Sequence, residues 1–206
     1  MLRAILIALA FVLVVAGPSQ AALLFDDVSR ADFTSGRVAE FSPLAAITVS
    51  APTSINQIGA LVDLNAPGHL KFLVFDLNSN ALLFSTGSTA YADDGLTYKL
   101  SPVFPDFVLI PGITYGIGAI ADVAALWSIN NSSSNNDFTQ NNITADDDRN
   151  GNVTIFAAPT LGAEGTAMIM VQLYGGPVPE PATLGLLATG FAMLTVAGRR
   201  LRGRRS

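Results

Sequence analysis

The chain contains no cysteine, and it contains one histidine among its 206 residues. The absence of cysteine excludes disulfides, thiolate metal sites and cysteine nucleophiles together. With His69 as the one histidine, no serine, histidine and acid set can be assembled, and the sequence motifs of the common hydrolases and nucleotide-binding enzymes are missing. His69 follows the Pro67-Gly68 turn and is predicted to begin a strand on its solvent side. We therefore expect a protein that is not an enzyme.

Basic residues are scarce outside the two ends of the chain. The whole chain has 11 Lys and Arg against 16 Asp and Glu. Glu180, Arg3 and the five arginines of the last eight residues lie at the ends, which leaves residues 22–176 with 15 acids, five bases and a formal charge near −10. Such an acidic surface repels nucleic acid phosphates and keeps an exported protein soluble. We expect no nucleic acid partner, and the charge favours metal ions or basic partners.

The first residues of the chain have the order of a secretory signal peptide. Arg3 gives a positive start, Ile5–Ala16 is an apolar core, and Ser19-Gln20-Ala21 places small residues at the two positions that signal peptidase reads. We predict a signal peptide at residues 1–21, cleaved by signal peptidase after Ala21. A retained N-terminal anchor is the alternative, which the shortness of the apolar core disfavours.

A second apolar run, Ala182–Gly198, lies between the triplet Pro179-Glu180-Pro181 and a basic cluster. At about 1.5 Å per residue, a helix over this run is about 25 Å long, which is at the short end of what crosses a hydrocarbon core of about 30 Å. Clustered positive charge beside a membrane helix marks its cytoplasmic end, so the body of the protein is predicted to lie outside. The two prolines keep the approach to the membrane extended and present Glu180. The orienting arginines are Arg199, Arg200, Arg202, Arg204 and Arg205.

The order of triplet, apolar helix and arginines in residues 178–206 closely resembles the PEP-CTERM sorting signal of exosortase substrates in Gram-negative bacteria. The resemblance implies that a membrane-embedded exosortase, a cysteine protease-like enzyme, recognises Pro179, Glu180 and Pro181 and removes the helix. It also implies that the body passes through an inner-membrane intermediate to the cell surface or the extracellular matrix. Glu180 is then a recognition residue of a substrate. We assign residues 177–206 to the sorting signal.

Between the two ends, residues 22–176 have the length of one domain. Short runs with β-branched and aromatic residues alternate with turn formers, and no 3.6-residue apolar stripe occurs. The predicted fold is all-β, an antiparallel β-sandwich that is jelly-roll-like. At the level of fold alone, residues 55–120 resemble the carbohydrate-binding-type sandwiches of secreted bacterial proteins. The predicted strands are Ala46–Ser50, Ile55–Leu64, His69–Leu77, Ala81–Thr86, Leu96–Ser101, Phe107–Ile110, Ile113–Ile120, Ala124–Ile129, Asn152–Ala157 and Ala167–Tyr174. The predicted turns are at residues 66–68, 78–80, 93–95 and 111–112.

An asparagine-rich stretch at residues 130–150 predicts a long exposed loop, because few of its side chains are apolar. The acidic end of this stretch fits the first half of a calcium loop, in which oxygen ligands alternate and a glycine follows at the sixth position. The twelfth position is Ala157, so a complete EF-hand is excluded. A calcium site is one interpretation, and an acidic turn held by its own hydrogen bonds is the other. The ligands of the calcium site are predicted to be Asp146, Asp148, Asn150 and Asn152, with Thr154 or Glu164 closing the shell.

Trp127, the one tryptophan, stands beside this polar stretch. Most tryptophans fill cores, and a sugar-stacking platform is the alternative.

Two functions follow from the sequence. The favoured one is a non-enzymatic component of the cell surface or extracellular matrix, sorted by exosortase and associated with the exopolysaccharide of a biofilm. The alternative is a lectin-like carbohydrate-binding module, dependent on calcium, that uses Trp127 or the tyrosines Tyr91, Tyr98 and Tyr115.

Overall fold

A computed structural model describes residues 21–28, 31, 33–130, 137–146, 151–162 and 167–175. Strands make up 61% of these residues and no α-helix occurs among them, so the all-β prediction is confirmed. Within the same residues, no helix has the length and apolar character needed to cross a bilayer. The predicted signal peptide and C-terminal helix lie outside the described residues and stay predictions.

The strands are β1 (Ala22–Asp26), β2 (Phe33–Arg37), β3 (Phe41–Pro43), β4 (Ala45–Val49), β5 (Thr53–Ile55), β6 (Gln57–Leu64), β7 (Gly68–Asp76), β8 (Ala81–Ser85), β9 (Thr89–Tyr91), β10 (Thr97–Leu100), β11 (Phe107–Leu109), β12 (Tyr115–Ala121), β13 (Ala125–Asn130), β14 (Phe138–Gln140), β15 (Ile143–Ala145), β16 (Asn152–Thr154), β17 (Thr160–Leu161), β18 (Met168–Ile169) and β19 (Val171–Gly175).

Most strands belong to two seven-stranded sheets with antiparallel pairing. The first sheet has the order β1-β19-β6-β13-β18, with β10 added to β6 and β2 added to β13. The second has the order β14-β15-β4-β12-β7-β8, with β9 added to β7. One apolar core joins them, with Ile58 and Trp127 from the first sheet and Phe72 and Ile117 from the second. The arrangement is sandwich-like, as predicted, and the jelly-roll-like connectivity stays a prediction.

Strand β6 shows how the sequence directs side chains into this core. Ile58, Ala60, Val62 and Leu64 are all 0% exposed, and each lies two residues from the next. Successive side chains of a strand point to opposite faces, so these four share the inner face while the residues between them face outward. The same strand bonds to β19 and β10 along Gly59 and Ala60, which places it in the middle of the first sheet.

Strands β7 and β12 are buried on both faces, as the apolar run from Leu70 to Leu77 predicts. One face of each packs into the core between the sheets. On the other face, Leu73, Phe75 and Ile120 join a second apolar cluster. A small third sheet, β17-β16-β3, covers this cluster and adds Val153 to it. Apart from His69 near the start of β7, both faces of the two strands are therefore largely withdrawn from water, which explains why their sequences do not alternate regularly between apolar and polar residues.

The turns that glycine and asparagine predict are present. Gly95 and Gly112 have φ angles of 82° and 88°, and Asn80 has a φ angle of 59°. These angles lie in the left-handed region, which glycine and asparagine occupy more readily than other residues. Between β7 and β8, Asp76 also accepts a hydrogen bond of 2.7 Å from the Ser79 hydroxyl, which fixes the start of that turn.

The prediction of one long exposed loop over residues 130–150 is wrong for most of the residues of this stretch that the structure describes. Asn130 ends β13 and is 4% exposed. Strands β14 and β15 form a hairpin whose turn residue Asn141 has a φ angle of 56°. Strand β15 continues the second sheet by pairing with β4, because Ile143 and Ala145 supply buried side chains two residues apart. The asparagines thus form a hairpin turn in this part of the chain.

Candidate functional site

Trp127 is buried, as expected of most tryptophans, and the alternative of a sugar-stacking platform is wrong. Its side chain is 1% exposed and belongs to the core between the sheets. It pairs with Val62 of β6 and Ser35 of β2. Because side chains alternate along β13, Trp127 points inward with Ala125, whereas Leu126 points outward and is 37% exposed. A ligand on the protein surface has no access to the indole ring.

Two of the three tyrosines considered for sugar stacking are also engaged elsewhere. Tyr115 is 1% exposed, and its hydroxyl accepts a hydrogen bond of 2.9 Å from the Ile110 amide. Tyr91 donates a hydrogen bond of 2.6 Å to the Leu100 carbonyl and packs edge-on against Phe72 at 6.3 Å between ring centroids. These contacts make both rings part of the fold. Tyr98 alone of the three belongs to a partly exposed polar cluster.

The predicted calcium ligands are only partly described. The Asp146 amide donates a hydrogen bond of 2.8 Å to the Ala46 carbonyl, and Asn152 begins β16. Asp148 and Asn150, which the site requires, lie outside the described residues. Among the residues that the structure does describe, no group of three or more His, Cys, Asp and Glu side chains is arranged to hold a metal ion. The calcium site stays a prediction.

His69 lies near the start of β7 and is half exposed, as predicted. Its Nδ1 is 2.8 Å from the Asp122 Oδ2, and its backbone amide donates a hydrogen bond of 2.6 Å to the Asp122 Oδ1. Burial acts to raise the pKa of Asp122, but the hydrogen bonds from the amide and ring of His69 outweigh it and leave this pKa below its usual value. The pair therefore has a structural role, because it joins the start of β7 to the end of β12.

A polar cluster that joins three strands centres on the Asp26 carboxylate at the end of β1. Its Oδ1 accepts hydrogen bonds of 3.1 Å from the Val28 amide and 3.2 Å from the Tyr98 hydroxyl. Its Oδ2 accepts one of 3.1 Å from the Gln172 side chain, whose own oxygen accepts one of 2.7 Å from Tyr174. We name Asp26, Tyr98, Gln172 and Tyr174 the Asp26 cluster. It connects β1, β10 and β19 across the outer face of the first sheet.

Electrostatics keep both phenols of the Asp26 cluster protonated. Burial, followed by the charge of Asp26 and its hydrogen bond, raises the pKa of Tyr98 far above its usual value. Burial and the charge of Asp26 also raise the pKa of Tyr174. Protonated phenols are hydrogen-bond donors and poor bases at neutral pH. The cluster is therefore suited to hold strands together, and we assign it no proton-transfer chemistry.

The raised tyrosine pKa values predict that stability falls at alkaline pH. Above about pH 10, tyrosines ionise in the unfolded chain, while Tyr98 and Tyr174 retain their protons in the folded one. The unfolded state then binds fewer protons, so the free energy of unfolding decreases as the pH rises further. In a spectrophotometric titration at alkaline pH, part of the tyrosinate absorbance should appear only with unfolding. Asp26→Asn should shift part of this tyrosinate absorbance to lower pH, because it removes the negative charge beside Tyr98 and Tyr174. If all tyrosines of the folded protein titrate as they do in denaturant, the raised pKa values are contradicted.

Strand β1 is also bonded to the second sheet. The Asp26 amide donates a hydrogen bond of 2.6 Å to the Gln140 side chain of β14, and the Asn141 side chain donates one of 2.5 Å to the Leu24 carbonyl. Between them, Phe25 packs edge-on against Phe138 at 5.7 Å between ring centroids. Because β1 also pairs with β19, it ties the two sheets of the sandwich together along one side.

The two strands nearest the predicted processing points are paired with each other. In the register of β1 and β19, Ala22 lies opposite Gly175. Ala21, the predicted cleavage residue, directly precedes β1, and Gly175 lies two residues before residue 177, where the sorting signal is predicted to begin. The cleavage after Ala21 stays a prediction. Among the residues that the structure describes, the first and last strands are therefore adjacent.

Comparison with known families concerns the C-terminal residues. A family model, described as the PEP-CTERM protein-sorting motif, matches residues 177–205. The chain carries a PEP-CTERM sorting motif. This confirms the resemblance drawn from the triplet and arginines, and it implies export, sorting to the bacterial cell surface and exosortase as the processing partner. No curated protein and no solved structure matches the chain. The PEP-CTERM residues singled out from the sequence lie outside the described residues: Pro179, Glu180, Pro181, Arg199, Arg200, Arg202, Arg204 and Arg205.

Proposed function

We propose that the protein is an exported, non-enzymatic component of the cell surface or extracellular matrix of a Gram-negative bacterium. The PEP-CTERM motif at residues 177–205 is the observation that carries this proposal. The apolar run Ala182–Gly198 holds the exported chain in the inner membrane as an intermediate. Exosortase then acts at Pro179-Glu180-Pro181 and separates the body from the membrane helix.

The described polar residues support a structural role for the body. Asp26 and Asp122 accept hydrogen bonds from residues far away in the sequence and so connect strands of the sandwich. Lys71 donates a hydrogen bond of 2.7 Å to the Phe156 carbonyl and so holds the segment after β16 against β7. With these polar side chains committed to the fold, the body acts through its acidic surface. We propose that this surface makes many weak contacts with the exopolysaccharide of a biofilm, in a layer where no dedicated binding pocket is needed.

The proposal predicts that the triplet is required for processing. In cells that contain exosortase, a protein tagged within the body should lose its C-terminal segment and reach the surface, together with exopolysaccharide. Replacing Pro179, Glu180 and Pro181 by alanine should lower the processed fraction at least tenfold and leave the full-length chain in the membrane fraction. Immunoblots of membrane, surface and medium fractions measure this.

A matched control is Asp106→Ala, which removes an exposed acid outside the motif. It should be processed like the unaltered chain. Equal processing of the triplet variant would contradict the sorting role. A processed body that is found only in the medium, with none retained by exopolysaccharide, would contradict the matrix role and leave the sorting role intact.

A further inference from the structure

Strand β8 forms one end of the second sheet. It pairs with β7 on one edge and, in the part of the chain that the structure describes, with no strand on the other. The opposite end of the same sheet is covered, because β1 bonds to the β14–β15 hairpin there. An uncovered edge presents backbone N–H and C=O groups that another extended strand can pair with. The partner that fits the edge of β8 is therefore a second β-strand.

The side chains of β8 leave this edge open to pairing. Edge strands are commonly protected by charged side chains or by proline, and Ala81–Ser85 contains neither. A shift of register between Val74 and Phe75 twists the strand and leaves Leu83 without a partner residue on β7. Leu82 and Leu83 are 41% and 43% exposed. Two neighbouring leucines therefore meet water at an unpaired edge.

More apolar surface lies beside this strand. The Phe84 ring packs against Phe104 and Phe107, at 4.5 and 5.9 Å between ring centroids. The chain neighbours of those two rings, Val103 and Val108, are 67% and 51% exposed. Exposed apolar surface of this kind is typical of sites where proteins associate. We name the following residues the β8 edge patch: Leu82, Leu83, Val103 and Val108.

The occupant that fits this edge is β8 of a second copy. Two β8 strands that pair antiparallel with the greatest overlap meet at Leu83, so that Leu82 of each lies opposite Phe84 of the other. Such pairing is identical for both copies and closes as a two-fold dimer. Strand β8 carries no charge, whereas residues 22–176 have a formal charge near −10, so two copies approach with the least repulsion at this edge.

We infer that two copies of the protein pair edge to edge through β8 and join their second sheets into one continuous sheet. This inference goes beyond the proposed function and does not depend on processing at the sorting motif. The β8 edge patch is small beside the roughly 800 Å² that each partner buries in a standard interface. The dimer is therefore weak, and it fills where the exported protein is concentrated, as in a surface layer.

Sedimentation velocity of the purified exported protein, from about 1 to 500 μM, tests the inference. The sedimentation coefficient should rise with concentration toward that of a dimer. Leu83→Lys places a charge on the edge and should weaken association by about tenfold or more. Leu126→Lys is the matched control, because it makes the same change at a 37% exposed leucine on a strand that is paired on both edges. It should associate like the unaltered chain, and circular dichroism checks that both variants are folded.

A single introduced cysteine tests the register, because the chain contains none of its own. Directly opposite Cα atoms of antiparallel strands lie about 4.5–5.5 Å apart, which is within the range of a disulfide. Leu83→Cys should therefore give a disulfide-linked dimer under mild oxidation, at protein concentrations where Leu126→Cys stays largely monomeric.

Concentration-dependent dimers that Leu83→Lys weakens and Leu83→Cys traps support the inference. An unaltered chain that stays monomeric at every concentration overturns it, as does association that Leu83→Lys leaves unchanged. Equal cross-linking of the two cysteine variants would place the contact between copies elsewhere and also overturn it. If Leu83→Cys is linked in cells to a different protein and not to a second copy, the edge serves another partner and the inference fails.

Discussion

Phe25→Ala is expected to lower the free energy of unfolding by about 3–5 kcal/mol, the usual cost of removing a fully buried phenylalanine. Phe25 is 0% exposed and lies in the core between the sheets. Its ring packs against Phe138 of the β14–β15 hairpin in the second sheet. Its own strand, β1, pairs with β19 of the first sheet. The substitution therefore leaves a cavity where the two sheets are tied together. It also weakens the docking of a strand only five residues long.

Thermal and urea unfolding of the purified exported protein, followed by Trp127 emission, measures this effect. A loss of this size lowers Tm by roughly 10 °C in a domain of this length. Leu23→Ala is the matched control, because Leu23 lies on the same strand and is 46% exposed. It should cost less than about 1 kcal/mol. Equal costs for the two variants would show that the inner face of β1 is not what holds the sheets together.

The central strands were predictable because their side chains carry the signal. The predicted strand His69–Leu77 matches β7, and the predicted strand Ala124–Ile129 matches β13 within a residue at each end. Their apolar and β-branched residues fit a sheet whichever neighbours they find. At the N-terminus the signal is weak, since β1 continues the composition of the apolar leader and β2 contains one large apolar residue, Phe33. Those strands form because partners distant in the sequence supply the packing.

The sequence did contain a signal for the β14–β15 hairpin, but the asparagine-rich composition of the surrounding stretch obscured it. Its residues Phe138–Gln140 and Ile143–Ala145 flank Asn141-Asn142, a pair well suited to a tight turn between two strands. Seen as part of an asparagine-rich stretch, the pair indicates a loop. Seen with the apolar residues on each side, it indicates a hairpin. The second interpretation depends on the pairing of β15 with β4, which lies almost a hundred residues earlier in the chain.

The Asp26 cluster was not predictable from local sequence. Asp26 is 72 residues from Tyr98 and 146 residues from Gln172, and no short motif links positions so far apart. The register of β1, β19, β6 and β10 brings these side chains together on one outer face. The sorting motif is the opposite case. Its meaning depends on the order of residues within one short segment, so sequence alone was sufficient to identify it.

Trp127→Ala is expected to destabilise the protein by about 3–5 kcal/mol, because it removes the largest of the fully buried side chains. The effect is one of packing, since Trp127 pairs in register with Val62 and Ser35 of the neighbouring strands and its side chain is 1% exposed. Any loss of contact with exopolysaccharide in this variant should therefore follow the unfolded fraction. It should disappear at temperatures where the variant remains folded.

The measurement is thermal unfolding followed by circular dichroism, since the substitution removes the fluorescent residue. Leu126→Ala is the matched control on the outward face of the same strand, where the side chain is 37% exposed, and it should cost less than about 1 kcal/mol. A folded Trp127→Ala protein with unchanged Tm would place the indole outside the core and reopen a role in binding. A large fall in Tm for Trp127→Ala, with the Tm of Leu126→Ala unchanged, would show that Trp127 packs in the core while the opposite face of β13 lies toward solvent.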